Sequence, residues 1–394
     1  MKSYHKKAGI ILMTGLILMF CALTKAQNPI LEEYIREGLE SNQALTQRQL
    51  DYAVNLAALK EAKGLFFPDI SFNARYTLAE GGRMIEFPVG DLLNPVYSTL
   101  NMLTGTDAFP QIENETFPFY RPTEQETKLS LVQPIFNSDL IQNYHIKKQY
   151  TEIARIDVDH YERELIKEIS KAYYEYQKAY NLIALADTSL ALVAENLRVS
   201  QRLFENDKVT VDAVYRSESE LSRVEVQRAR ANNMLEASRA YFNFLLNRDL
   251  GTPVELMMQV PVQPLISLEE ASLQALQNRI ELSQIKEYQQ LNKHLISMHR
   301  GQNIPGLFGV VDYGIQGEDY QVTSEDDFLL ASLVLRWTLF KGAANHQKVQ
   351  QSRIEGEKLE ELYSQTQQQI RLEVINHFYG LQAAYESVQS ARKQ

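Results

Sequence analysis

The chain has 394 residues, a formal net charge of −10 and a single cysteine, Cys21. The acidic balance argues against nucleic-acid binding, which requires a basic stripe, and one cysteine cannot form an internal disulfide framework. The length suggests two or more domains, yet no linker rich in glycine, serine and proline divides the sequence.

The N-terminus has the pattern of a secretory signal peptide. Lysines begin the chain, a short apolar run covers residues 9–23, and Thr24 and Ala26 supply small residues at the −3 and −1 positions of a cleavage site. The run is shorter than the roughly 20 apolar residues that a spanning helix needs. Residues 1–26 are therefore predicted to be removed, with a retained anchor as the alternative. Four lysines leave with this segment, so the net charge of −10 becomes about −14.

Two parts of the mature chain follow one plan. The sequence LEEYIREGLESNQAL at 31–45 aligns with LEEASLQALQNRIEL at 268–282, at an offset of 237 positions. The same offset separates Pro68 from Pro305, and each proline precedes an alternating strand pattern. The constant offset predicts a duplicated unit of helix, strand, loop, strand and long helices.

The two repeats are predicted to cover residues 27–264 and 265–394. A further resemblance, at an offset of 204, joins TKLSLVQPIFNS at 127–138 to ASLVLRWTLFKG at 331–342. The offset is smaller in this part because the first repeat carries a longer connection between its two strands.

Four strands are predicted from the alternation of apolar and polar residues. Three apolar rows begin at Ile70, Leu307 and Leu329, and the fourth strand, near 127–136, is predicted to be broken by Pro134. Beyond the signal, no apolar run is long enough to cross a bilayer as a helix. Any membrane-crossing part of the chain is therefore predicted to consist of strands, whose length suits a tilted crossing.

The connection between the first two strands runs from about Glu80 to Glu126. It combines prolines with many aromatic and aliphatic residues, which is not the composition of a disordered spacer. Connections of this length tend to be functional or folded on themselves. We expect it to pack against the strands that it joins, with a plug, a lid or a receptor surface as alternatives.

Long helices follow the strands. No proline or glycine interrupts residues 143–206, where small and apolar residues recur at the 3,4 spacing typical of a coiled coil. A reversal over 207–212 and a return helix to about Asn247 predict an antiparallel hairpin. The periodicity does not distinguish a hairpin that forms a lone rod from one that forms part of the wall of a tube. The second long helix, at 344–394, has no return helix after it, so a truncated or an incomplete sequence is expected.

Motifs for chemistry are absent from the sequence. It contains no HExxH, CxxC or GxSxG pattern and no phosphate-binding glycine loop. His294 and His299 are five positions apart and do not share a helix face. We therefore predict that the protein is not an enzyme and holds no cofactor or metal.

The order of these elements resembles the TolC family of outer-membrane efflux channels. The family has a proline before the first strand of each half and a leucine–x–leucine phrase, followed by phenylalanine, in the strand that leads into the long helix. The matching residues are Pro68, Leu129, Leu131, Pro134, Ile135 and Phe136 in the first half, and Pro305, Leu333, Leu335, Leu339 and Phe340 in the second.

The resemblance implies a mainly α fold with a small β part, in which long antiparallel coiled-coil hairpins project into the periplasm. Each of three protomers would give four strands to one twelve-stranded transmembrane barrel in the outer membrane. The lipid-facing residues would be Ile70, Phe72, Tyr76, Leu333, Leu335 and Trp337, and the lumen-facing residues Arg75, Asp312 and Arg336. At the helical tip, Lys208, Val209, Thr210 and Asp212 would contact a periplasmic adaptor.

The function implied is that of a passive exit duct in a tripartite efflux or type I secretion system. Its partners would be two further copies of itself, a periplasmic adaptor and an inner-membrane pump of the RND or ABC type. The alternative is a periplasmic coiled-coil adaptor or scaffold that transports nothing. The sequence does not indicate whether the cargo is a drug, a metal or a polypeptide.

Overall fold

The computed structural model describes residues 28–257, 266–318, 320 and 326–393. The predicted signal peptide lies outside the described residues. The chain divides into a mainly helical unit, residues 1–57, 148–291 and 355–394, and a unit that contains the strands, residues 58–147 and 292–354. Each unit takes segments from both predicted repeats, whose division at residue 264 stays a prediction.

The four strands of the main sheet and the long helices follow one another along the chain in the predicted order. The helices are α1 Pro29–Ser41, α2 Gln43–Gly64, α3 Val89–Thr104, α4 Ser138–Glu205, α5 Val211–Leu245, α6 Leu268–Asn278, α7 Ile280–Gly301 and α8 Ala344–Lys393. The strands are β1 Asp69–Leu78, β2 Met84–Phe87, β3 Glu115–Pro118, β4 Thr123–Phe136, β5 Gly306–Gly317 and β6 Asp327–Arg336. Among the described residues, no helix combines the length and the apolar composition that crossing a membrane requires.

Helix caps explain where the first helices begin. The Asn28 side chain accepts hydrogen bonds from the backbone N–H groups of Ile30 and Leu31, at 3.1 and 3.2 Å. Asn42 interrupts the helical run and caps α2 by accepting from Ala44 and Leu45, both at 3.0 Å. In the second half, α7 has the bounds of α2 displaced by the same 237 positions, 280–301 against 43–64.

The long hairpin of α4 and α5 reverses at Asp207. This residue has a φ of 56°, in the left-handed region that ends many helices. The Lys208 N–H donates to the Leu203 carbonyl at 2.8 Å and the Asp207 N–H to that of Phe204 at 2.9 Å, the two hydrogen bonds of a Schellman motif. Aspartate tolerates this conformation better than most residues, which explains a sharp turn without glycine.

The core of the helical unit is aromatic. Tyr34, Tyr173 and Phe242 pack together, with ring centroids 5.0 Å apart for Tyr34 and Phe242 and 6.0 Å for Tyr173 and Phe242. The Tyr173 hydroxyl accepts the backbone N–H of Met257 at 2.8 Å. Gly38 lets α1 approach this core, because a Cβ there would collide with Ile169. The aromatic cluster thus joins α1, α4 and α5 to the segment that follows α5.

The second unit contains an antiparallel sheet in the order β1-β4-β5-β6. The prediction that Pro134 breaks the fourth strand was wrong. β4 continues to Phe136, and the irregularity is a register shift against β5 between Pro134 and Phe136. The sheet tolerates proline here because Pro134 lies at a bulge, where the regular backbone hydrogen bonding between the strands is interrupted and its missing N–H is not needed. β4 also begins four residues before the predicted Thr127.

The connection between β1 and β4 is folded, with two strands that the sequence did not predict. β2 pairs with β3, and α3 lies between them in the chain. The Asn94 side chain bonds both backbone groups of Ile112, at 2.9 Å each, and Asn101 does the same for Phe109 at 2.7 and 3.0 Å. These asparagines hold α3 against its own return segment.

Two histidines stack where α4 and α7 approach the sheet. The His145 and His294 rings have centroids 5.1 Å apart and planes inclined by 6°. Burial, and to a smaller extent His145, lowers the pKa of His294 below its ordinary 6.5. The His294 ring therefore binds a proton more readily in the unfolded chain than in the folded one. The contribution of neutral His294 to the free energy of unfolding is fully present above pH 6.5 and is lost as pH falls through the pKa of the folded state.

We expect the melting temperature of the purified protein to fall as pH is lowered from about 7 towards 5. His294→Gln should reduce the slope of this fall, because a neutral amide replaces the titrating ring. Melting curves followed by circular dichroism at several pH values measure it. A slope identical in the variant would contradict the assignment.

Candidate functional site: the sheet faces and the helical tip

One face of the sheet is apolar and open. Side chains alternate along each strand, and the register aligns Phe72, Leu129, Tyr313 and Leu329 in one row across all four strands. Phe72 is 68% exposed and Leu329 is 70% exposed. A neighbouring row contains Ile70, Leu131, Val311 and Ala331. An exposed apolar surface that crosses a whole sheet marks a contact with lipid or protein.

Most of the predicted lipid-facing residues lie on this apolar face. The register places five of the six there: Ile70, Phe72, Tyr76, Leu333 and Leu335. The prediction that Trp337 lies within the strand was wrong, because β6 ends at Arg336. The Trp337 indole N–H instead donates to the Asn303 carbonyl at 3.0 Å.

The opposite face carries paired charges. Arg75 Nη2 lies 3.0 Å from Glu126 Oε2, Lys128 Nζ lies 2.9 Å from Glu126 Oε1, and Lys128 Nζ lies 3.3 Å from Asp312 Oδ2. We call these four residues, Arg75, Glu126, Lys128 and Asp312, the charge ladder. The Ser130 hydroxyl donates a hydrogen bond to Asp312 Oδ1 and so fixes the carboxylate at the β5 end of the charge ladder.

The predicted lumen-facing residues share this opposite face but not one cluster. The ladder connects Arg75 to Asp312 through Glu126 and Lys128. Arg336 pairs in register with Gly306 at the end of the sheet from which the helices continue. Its guanidinium carbon lies 5.8 Å from the centroid of the Phe308 ring. Arg336 is therefore separate from the ladder.

Sequence reasoning missed Glu126 and Lys128. Both belong to the alternation of β4, in which Glu124, Glu126, Lys128 and Ser130 occupy one face. Starting the strand at Thr127 removed the two glutamates from that pattern. Reading the alternation backwards from Ser130 would have identified these residues.

The helical tip is exposed to solvent. Lys208, Thr210 and Asp212 are exposed and Val209 is partly buried. Asp212 forms an ion pair with Arg216 at 2.7 Å, one turn further along α5. The tip thus presents a short set of polar and charged groups on a fixed turn. In the described parts of the chain, no group of three or more His, Cys, Asp or Glu residues is placed to hold a metal ion.

Comparison with known proteins finds a family model that matches part of the chain and solved structures with a similar fold. Residues 272–394 match the family model described as outer membrane efflux protein. No curated protein sequence matches the chain. Three similar solved structures are CusC, the CmeC outer membrane channel of Campylobacter jejuni and the outer membrane protein VceC of Vibrio cholerae.

The structural similarity extends over most of each chain. For CusC the TM-score is 0.74 at 13% identity, covering 94% of this chain and 82% of that one. For CmeC the TM-score is 0.70 at 14% identity, with coverages of 92% and 74%. For VceC the TM-score is 0.72 at 12% identity, with coverages of 92% and 81%. At these identities the similarity establishes the fold.

The comparisons confirm the predicted fold class, long antiparallel helical hairpins with a small β part. The matched family is described as outer membrane efflux protein, which agrees with the predicted location in the outer membrane. The family match over residues 272–394 and the fold shared over more than nine-tenths of the chain show that this chain is similar to outer-membrane efflux proteins.

Proposed function

We propose that three copies of the chain form a passive exit duct through the outer membrane, served by a periplasmic adaptor and an inner-membrane pump of a tripartite efflux system. The observation that carries the proposal is the sheet, with an exposed apolar face opposite a face of paired charges. Such a sheet suits a wall between lipid and water.

The edges of the sheet support assembly. β1 and β6 are its outer strands and have no further partner among the described residues. Strand edges cannot remain unpaired in lipid, so β6 of one copy would pair with β1 of the next until the ring closes. With three copies, as in channels of this fold, four strands each give twelve.

Connectivity supports an orientation. Helices α2, α4, α7 and α8 all join the strands at one end of the sheet, and the connection that contains α3 lies at the other. We place the helical end towards the periplasm and the α3 connection at the cell surface. A periplasmic scaffold, the alternative from the sequence, would leave the apolar face exposed to water.

Two measurements test the duct. The protein should appear in the outer-membrane fraction as a trimer that resists detergent on a gel, and the purified trimer should conduct ions in a planar bilayer. A soluble monomer or dimer without conductance would contradict the proposal.

The helical tip is proposed as the adaptor contact. A photo-crosslinking residue at position 209 should give an adduct that mass spectrometry identifies as an adaptor. Replacing Lys208, Val209, Thr210 and Asp212 by alanine should abolish that complex and leave bilayer conductance unchanged. The control is Glu220→Ala with Arg223→Ala, which removes an exposed ion pair further along α5. Equal loss of the complex in the control would contradict a specific role for the tip.

A further inference from the structure

The charge ladder has a net charge of zero. Arg75 and Lys128 are cations, and Glu126 and Asp312 are anions, so each sign alternates with the other across three strands. Lys128 is the bridging member because its ammonium contacts both carboxylates. Without Lys128, one cation would remain for two acids.

Gly314 makes this arrangement possible. It lies directly opposite Lys128 in the register of β4 and β5. A Cβ at position 314 would collide with the Thr127 carbonyl oxygen and with Cα and Cβ of Lys128. The absent side chain lets β5 approach β4 closely beside Lys128, whose ammonium contacts Asp312, two residues from Gly314 on β5. The glycine therefore serves the ladder as well as the close approach of the strands.

The ladder lies towards the end of the sheet away from the helices. Arg75 is near the end of β1, which the folded connection follows, and Glu126 is near the start of β4. The Arg75 side chain is 64% exposed, whereas that of Asp312 is 12% exposed. The ladder thus combines a solvated cation at one end with a fixed, hydrogen-bonded anion at the other.

We propose that the charge ladder sets the ionic selectivity of the outer part of the duct and that Lys128 is its specificity-determining residue. This inference rests on the proposed function. Three ladders would form a belt of alternating charges around the lumen, and a balanced belt favours neither cations nor anions. Fixed charges of one sign in a narrow pore concentrate counter-ions, so removing a single member should create selectivity.

Reversal potentials in a planar bilayer under a potassium chloride gradient test the proposal. Lys128→Met keeps an apolar stem and leaves three uncompensated negative charges per trimer. We expect the ratio of potassium to chloride permeability to rise about twofold or more. Asp312→Asn should lower this ratio by a similar factor, because three positive charges remain.

The matched control is the double variant Lys128→Met with Asp312→Asn. It contains both changes and restores the balance of the ladder, so its permeability ratio should return towards that of the natural chain. Glu126→Gln is an independent variant that should shift the ratio in the direction of Asp312→Asn. If either of the other single variants fails to form the trimer, Glu126→Gln still tests whether the charge ladder sets the permeability ratio.

The outcomes separate the two proposals. No conductance in the natural trimer would overturn the duct itself. Conductance with the same permeability ratio in Lys128→Met, Asp312→Asn and Glu126→Gln would overturn the ladder as the selectivity determinant and leave the duct intact. Shifts of equal sign for Lys128→Met and Asp312→Asn would also overturn it, since they would reflect distortion of the sheet.

Discussion

Leu333→Arg is expected to prevent most of the protein from assembling in the outer membrane. Leu333 is 69% exposed in the middle of β6, on the apolar face. Arginine facing the centre of a bilayer costs about 2–4 kcal/mol per site, and the trimer contains the site three times. The measurement is the fraction of detergent-resistant trimer in the outer-membrane fraction, quantified by immunoblot against total protein.

The matched control is the adjacent position. Ser332→Arg introduces the same side chain on the opposite face, where Ser332 pairs in register with Val310. If that face borders a water-filled lumen, the arginine remains hydrated and the yield of trimer should stay close to that of the natural chain. Equal loss in both variants, or greater loss for Ser332→Arg, would reverse our assignment of the two faces.

Phe242→Ala is expected to destabilise the helical unit by about 3–5 kcal/mol, the usual cost of removing a fully buried aromatic ring. Phe242 is 0% exposed and contacts both Tyr34 and Tyr173. The cavity would lie at the point where α1, α4 and α5 meet, so the loss cannot be absorbed by one helix. Thermal unfolding of the detergent-solubilised protein, followed by circular dichroism, gives the change in melting temperature.

Phe244→Ala serves as the control for this variant. Phe244 lies two residues further along the same helix and is 67% exposed. Its replacement by alanine should change the free energy of unfolding by no more than about 0.5 kcal/mol, as at most surface positions. A large drop in melting temperature for Phe244→Ala together with a small one for Phe242→Ala would show that the aromatic cluster is not the stabilising core.

Alternation and periodicity predicted the sheet strands and the long helices well, because both patterns reflect local geometry. The apolar row from Ile70 gave the face of β1 directly, and the uninterrupted run over 143–206 gave nearly all of α4. The ends were less accurate: Pro134 did not stop β4, and Trp337 lies beyond β6. Strand ends depend on the hydrogen bonds of the neighbouring strand, which a single sequence segment does not contain.

The sequence by itself determined the repeat, the order of the four sheet strands and the long helices, and which residues share a strand face, since each follows from spacing along the chain. Only the tertiary structure decided which charges meet. Lys128 and Asp312 are 184 positions apart in sequence, and their contact depends on the register of β4 against β5 and on the space left by Gly314. Register arises from many weak pairings summed across two strands, so no local pattern specifies it.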